Sequence, residues 1–259
     1  MNLNFCFIGA GNLAAQLSKA LQKKGFNISQ IYSRTEKSAK ILADELKTNF
    51  TNSIINIESN ADIYFVAIKD SAVDEVLSKI NFNNKLVVHC SGGLSISILE
   101  KYSKNYGVFY PLQTFSKNRD VDFVSVPIFI EANLKLNENL LREVANGISD
   151  SVIILNSEQR KYLHISAVFA SNFVNHFYTI AAEILKSKEI PFEVLKPLIL
   201  ETANKVQEML PEKSQTGPAV RFDENIVFDH LNKLEEFNEY KELYKSISKS
   251  IFEHHSKLI

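Results

Sequence analysis

The run Gly9-Ala10-Gly11-Asn12-Leu13-Ala14 has the spacing G-x-G-x-x-A. In such a run the first glycine permits a tight turn and the second lets backbone approach a pyrophosphate. The alanine lets the following helix pack close to the preceding strand, and the helix N-terminus attracts the anion. The pattern is weak alone, but here it follows the apolar stretch Leu3-Asn4-Phe5-Cys6-Phe7-Ile8 and opens an amphipathic run, which is the context it requires. Gly9, Ala10, Gly11, Asn12 and Leu13 are therefore expected to border a dinucleotide. A second apolar stretch closes at Tyr32-Ser33-Arg34-Thr35. An NAD site places a carboxylate at this point to hold the ribose 2′-hydroxyl, whereas a 2′-phosphate calls for room and positive charge. Ser33 and Arg34 offer a hydroxyl and a planar cation, so NADP(H) is the expected cofactor. Ile68-Lys69-Asp70 and Ser91-Gly92-Gly93 close two more such stretches. Ligands of open α/β sheets sit outside the carboxyl ends of strands, which puts Ile68, Lys69, Ser91 and Gly92 beside the nicotinamide half. A plain turn is the competing reading of Gly92-Gly93.

A second chemical group lies on the uncharged run Tyr162 to Ala182. At 100° per residue, His164, Val168, Ser171, Asn172, Asn175, His176 and Thr179 fall in one sector, and Phe169, Phe173, Phe177, Ile180 and Ile184 fall opposite. A polar face without Lys or Glu is not the usual solvated face. It reads either as the wall of a cleft or as a buried helix whose polar groups bond to neighbours. In the cleft reading His164 is the first candidate acid or base, because imidazole titrates near neutral pH. Asn172 orients the substrate, and His176 is the alternative acid. Ser171 and Asn175 are candidate substrate contacts. So are Gln113, in Tyr110-Pro111-Leu112-Gln113-Thr114-Phe115, and Arg221, which ends Gln215-Thr216-Gly217-Pro218-Ala219-Val220-Arg221 and suits a carboxylate. His230, His254 and His255 read as packed or solvated side chains.

These residues need a scaffold. Strands are expected over 3–8, 28–33, 61–68, 85–90, 108–110, 124–130 and 152–155, with helices over 12–24, 36–46, 71–80 and 137–147 between them. That alternation implies βαβ units and a mostly parallel sheet, hence an α/β Rossmann domain over 1–156. Beyond Asn156 the strand signal stops. Helices are expected over 158–188, over 192–210 with Pro197 splitting off a short first turn, and over 223–258. The last of these carries Ile226, Leu231, Leu234, Phe237, Tyr240, Tyr244, Ile247 and Ile251 on one apolar stripe. Residues 157–259 are thus expected to form an all-helical domain.

Composition narrows the function. The chain has 259 residues, 29 Lys+Arg against 30 Asp+Glu, and a net charge of -1. No basic excess marks a nucleic-acid partner. The uncharged run is too rich in strong polar groups to face lipid. With the glycine motif at Gly9 the N-terminus is read as part of the fold, without a secretory signal. Cys6 and Cys90 sit in apolar runs and read as small buried hydrophobes in a reducing cytoplasm. Neither has a metal-ligand partner at usable spacing, and no metal site is expected.

Together, the Gly9–Ala14 loop, Tyr110 to Phe115, the run Ala167 to Phe173 continuing through Asn175-His176, and Thr216 to Arg221 resemble a bacterial family that joins a Rossmann-like domain to a helical domain of unknown function, the 2520 family. The resemblance spans nearly the whole chain and implies an NADP oxidoreductase. More distantly the layout is similar to pyrroline-5-carboxylate reductase, deazaflavin-dependent NADP reductase and the β-hydroxyacid dehydrogenases. It implies a helical domain of the 6-phosphogluconate dehydrogenase C-terminal type, with the substrate between the domains. Two departures matter. β-Hydroxyacid dehydrogenases use a lysine on the long interdomain helix, and no lysine stands here between Lys161 and Lys186. The Ser-Gly-rich helix start of pyrroline-5-carboxylate reductases is also absent. The expected activity is NADP(H)-dependent oxidoreduction of a small C=O or C=N substrate by a homodimer. The competing class is a non-catalytic NADP(H)-binding redox sensor or scaffold.

Overall fold

The computed structural model describes residues 3–257. It divides the chain into two compact units, Met1–Asn172 and Phe173–Ile259.

The first unit is built on an eight-stranded sheet in the order β3-β2-β1-β4-β5-β6-β7-β8. The strands are β1 (Asn4–Ile8), β2 (Asn27–Tyr32), β3 (Asn49–Thr51), β4 (Ile63–Val66), β5 (Leu86–His89), β6 (Asn105–Pro111), β7 (Ile128–Ala132) and β8 (Val152–Ile154). β1 to β6 run parallel, β7 pairs antiparallel with β6, and β8 is parallel to β7. Helices α1 (Asn12–Lys23), α2 (Glu36–Leu46), α3 (Val73–Leu77) and α4 (Lys135–Asn146) connect them. The mostly parallel Rossmann architecture expected from the sequence is present.

Burial on both faces explains the continuous apolar runs of the central strands. Successive side chains point to opposite faces. Phe5 and Phe7 of β1, with Ile63 and Phe65 of β4, join the core under α1, α2 and α4. Cys6 and Ile8, with Tyr64 and Val66, join the core under α3. Both cysteines are free and buried, and burial pushes the Cys90 thiol up to about 12.

The order reverses between β1 and β4: β1 leads outward to β2 and β3, and the chain then returns to β4 on the other side of β1. Such a switch point opens a crevice at the carboxyl ends of the two strands.

A 30-residue helical stretch follows β8. It begins as α5 (Ser157–Ala167), passes through a π-helical segment over Val168–Phe173, and continues as α6 (Val174–Lys186). Asn156 and Gln159 form a capping box that fixes where it begins. Two expectations change here. A π segment takes extra residues per turn, so the polar face drawn from a uniform 3.6-residue period is not continuous from His164 to His176. The uncharged run is also mostly exposed: Tyr162 is 67% exposed and Ile165 53%.

The second unit continues with α7 (Lys196–Glu208), α8 (Pro211–Ser214), α9 (Glu224–Lys233) and α10 (Asn238–His255). A 3-10 turn over Phe192–Leu195 precedes α7, so Pro197 stands at a helix start, where its missing N–H costs nothing. The segment 223–258, expected to be mostly helical, forms two helices broken between Lys233 and Asn238, and Leu258 lies outside the described residues. Its apolar stripe survives the break: Leu234, Tyr240, Tyr244, Ile247 and Ile251 line an apolar hollow of about 320 Å³ with Phe177 and Ile180 of α6. Among the described residues no strand follows β8, and no helix is long and apolar enough to cross a membrane.

Candidate functional site

Gly9 leaves β1 with φ +127°, a conformation that favours glycine, and a Cβ there would lie 2.3 Å from the Ala67 carbonyl oxygen beyond β4. The Gly9 N–H donates to the Tyr32 carbonyl at 2.8 Å, tying the turn to the end of β2. Gly11 is different. Nothing lies within 4 Å of where its Cβ would be. No neighbour in the protein forbids a side chain at Gly11, which caps α1 and borders an open hollow.

That hollow is a cleft of about 350 Å³. Gly9, Ala10 and Gly11 form its floor. Ser33, Arg34, Thr35 and Ser38 come from the end of β2 and the start of α2. Ile68 and Lys69 follow β4, and Lys117 comes from the loop after β6. Three cations line it and no carboxylate does. A glycine cradle, a helix N-terminus and uncompensated positive charge fit a dinucleotide phosphate group. The structure thus brings together seven of the predicted cofactor residues: Gly9, Ala10, Gly11, Ser33, Arg34, Ile68 and Lys69.

The other four lie elsewhere. The Asn12 side chain donates to the Phe115 carbonyl at 3.0 Å. Leu13 packs against the core. Ser91 Oγ donates to Asp70 at 2.9 Å and accepts from the N–H groups of Gly93 and Leu94, so its hydroxyl shapes the turn after β5. Gly92 is buried against two rings: a Cβ would lie 2.7 Å from His164 Cγ and Nδ1 and 2.9 Å from Tyr110 Cζ.

His164 thus sits at the carboxyl end of β5. Its Nδ1 is 3.1 Å from the Tyr110 hydroxyl. Burial pushes the Tyr110 hydroxyl above its ordinary value, with the Arg160 charge pulling the other way. With the ring proton on Nε2 the Tyr110 hydroxyl donates to Nδ1, and with a proton on Nδ1 it accepts. The Asp70–Ser91 bond joins this pair's turn to the loop that carries Lys69 into the cleft.

One turn before His164, Arg160 is 1% exposed. Its guanidinium pairs with Glu131 of β7 and donates to the Leu94 carbonyl and to Ser157 Oγ. Ser157 Oγ in turn donates to Glu131 at 2.8 Å and accepts from the Ile96 N–H at 2.9 Å. The network clamps α5 to the turn after β5 and so sets where His164 stands. His89, at the end of β5, is 1% exposed and accepts from the Ser91 N–H at 3.2 Å. Burial first, and the Arg160 charge second, push it down to about 3, so it is neutral.

Gln113 is exposed and caps Thr114, in a separate hollow with Ser116 and Arg119. Ser171 and Asn172 lie in the π segment. Asn175, His176 and Arg221 are exposed in the second unit, and His230 there bonds the Tyr244 hydroxyl at 2.8 Å. Sequence reasoning missed Lys117, which looks like one more charge in a polar loop. It also missed Arg160, whose burial no local pattern reveals.

Fold and cleft define a Rossmann-type dinucleotide-binding protein. Residues 4–93 match the family described as NADP oxidoreductase, coenzyme F420-dependent, and residues 126–251 match a domain of unknown function (DUF2520). A Bacteroides fragilis crystal structure named "putative NADP oxidoreductase" is 45% identical, with 97% of this chain and 98% of that chain covered and a TM-score of 0.94. The chain belongs to the NADP oxidoreductase family that this protein represents. A Thermotoga maritima protein is 25% identical over 98% of both chains, with a TM-score of 0.74. Over 106 residues the chain is 29% identical to the pyrroline-5-carboxylate reductase of Pasteurella multocida, covering 38% of each. The chain spans about a third of the length of the curated relatives it matches.

Proposed function

We propose that this chain is an NADP(H)-dependent oxidoreductase acting on a small C=N or C=O substrate. The observation that carries the reading is the Tyr110–His164 pair on Gly92, joined through Ser91–Asp70 to the loop whose Lys69 lines the cationic cleft. Gly9 to Gly11 would hold the cofactor's pyrophosphate, and Ser33 and Arg34 the 2′-phosphate. When bound, NADPH supplies the hydride. In its doubly protonated form His164 would give the proton that the reduced nitrogen or oxygen takes up and be left as a neutral ring, with the Tyr110 hydroxyl holding the ring in place through Nδ1. Asn172, Ser171, Asn175, His176, Gln113 and Arg221 remain candidate substrate contacts. The similarity to a pyrroline-5-carboxylate reductase favours a cyclic imine as the first substrate to try.

In this reading residues 1–156 are the dinucleotide-binding domain and 157–259 the helical domain. Exposed apolar side chains such as Leu198, Leu200 and Phe228, each over 60% exposed, support a homodimer through the helical part. Two buried free thiols accord with a reducing cytoplasm. The cofactor assignment is tested by titrating wild type and Arg34→Ala with NADPH and NADH. We expect wild type to prefer NADPH by about tenfold and the variant to lose most of that preference. Equal wild-type affinities, or a variant that keeps the preference, would overturn it.

A further inference from the structure

The connection from β6 to β7 carries the polar run Ser116-Lys117-Asn118-Arg119-Asp120. The structure fastens it to α1. Gln16 is only 4% exposed, and its side-chain amide donates to the carbonyls of Ser116 at 2.9 Å and Lys117 at 3.3 Å. Asn12, the first residue of α1, donates to the Phe115 carbonyl. The Phe115 ring stacks on Phe123 with centroids 5.6 Å apart, and an antiparallel bridge between Ser116 and Arg119 closes the turn. A buried amide that satisfies two loop carbonyls holds that loop in one place.

The turn brings Lys117 into the lining of the cleft with Arg34 and Lys69. Among the described residues none of the three is ion-paired with a carboxylate. Three like charges around one hollow repel one another, and an anion between them removes that cost. We propose that residues 113–119 form a strap across the dinucleotide site, and that Lys117 binds the cofactor's pyrophosphate. The pyrophosphate, rather than the 2′-phosphate, is assigned because the strap hangs from the first turns of the helix that follows Gly9–Gly11. Arg34, by contrast, stands at the end of β2. The proposal rests on the reading of the cleft as a dinucleotide site.

The test is a fluorescence titration of the full chain with NADPH and with NADH, for wild type, Lys117→Ala, Lys117→Arg, Gln16→Ala and the Gln16→Ala/Lys117→Ala double variant. A pyrophosphate contact serves both cofactors. Lys117→Ala should therefore weaken both by about the same factor, roughly tenfold, and Lys117→Arg should restore most of the loss. Gln16→Ala should weaken both about threefold in the presence of Lys117 and add nothing to Lys117→Ala, because the two act as one device. Loss confined to NADPH would overturn the pyrophosphate assignment. Additive effects of Gln16 and Lys117 would overturn the strap. Unchanged affinity of Lys117→Ala, with Arg34→Ala still weakening NADPH, would overturn the proposal and leave the cofactor reading standing. Failure of wild type to bind either cofactor would overturn the cofactor reading itself.

Discussion

The Tyr110 hydroxyl and His164 Nδ1 lie 3.1 Å apart although 54 residues separate them in the chain. One comes from β6 and the other from α5, and Gly92 at the end of β5 is the only residue type that fits beneath both rings. This contact makes an exposed histidine a candidate for proton transfer, because it holds one ring nitrogen on the Tyr110 hydroxyl and so orients the other.

His164→Ala should lower turnover by about a hundredfold or more with NADPH affinity nearly unchanged, a range typical of losing a general acid. Tyr110→Phe keeps the ring and removes the hydrogen bond, so it should lower turnover by a smaller factor and move the pH–rate profile. Steady-state kinetics across pH read both. Turnover of His164→Ala at the wild-type level would remove this residue from the mechanism.

Arg160 should be a stability hinge. Arg160→Met leaves Glu131, whose side chain is 16% exposed, without its cation, and strips a donor from the Leu94 carbonyl. Breaking a buried pair from one side costs about 3–5 kcal/mol. The double variant with Glu131→Gln should recover part of that. Urea unfolding measures both, and an Arg160→Met protein within about 0.5 kcal/mol of wild type would show that the pair does not hold the helix.

His89 gives the fold a pH dependence of definite sign. Its folded value of about 3 lies below the ordinary 6.5, so between those limits the unfolded chain binds the extra proton. The stabilisation is complete above pH 6.5 and is lost as pH falls toward 3. From pH 7 to pH 5 wild type should lose about 2 kcal/mol more than His89→Asn. Parallel pH profiles for the two proteins would contradict the buried neutral imidazole.

The lining of the cationic cleft was legible because its determinants are local. Gly9, Gly11, Ser33 and Arg34 act within a strand and the turn after it, and the strand-ending positions Ile68 and Lys69 followed from where parallel strands must end. The surroundings of His164 were legible only in part. His164 was named for its chemistry, but its partner Tyr110 and its anchor Arg160 depend on the β5, β6 and β7 ends meeting one helix, which no spacing in the chain announces. The polar stripe misled because it assumed an unbroken 3.6-residue period through Val168–Phe173. Nothing local marks the loop at Ser116–Arg119, because its order comes from Asn12 and Gln16, about a hundred residues earlier.

The central claim is that bound NADPH is used for reduction. Its most direct measurement is incubation of the protein with NADPH deuterated at the transferring carbon and a panel of cyclic imines and small ketones, with products read by mass spectrometry. The account predicts one deuterium in the product of at least one member, imines first, and far less product with His164→Ala. Tight NADPH binding with no deuterium in any product would contradict it and mark the protein as a binder that does no chemistry.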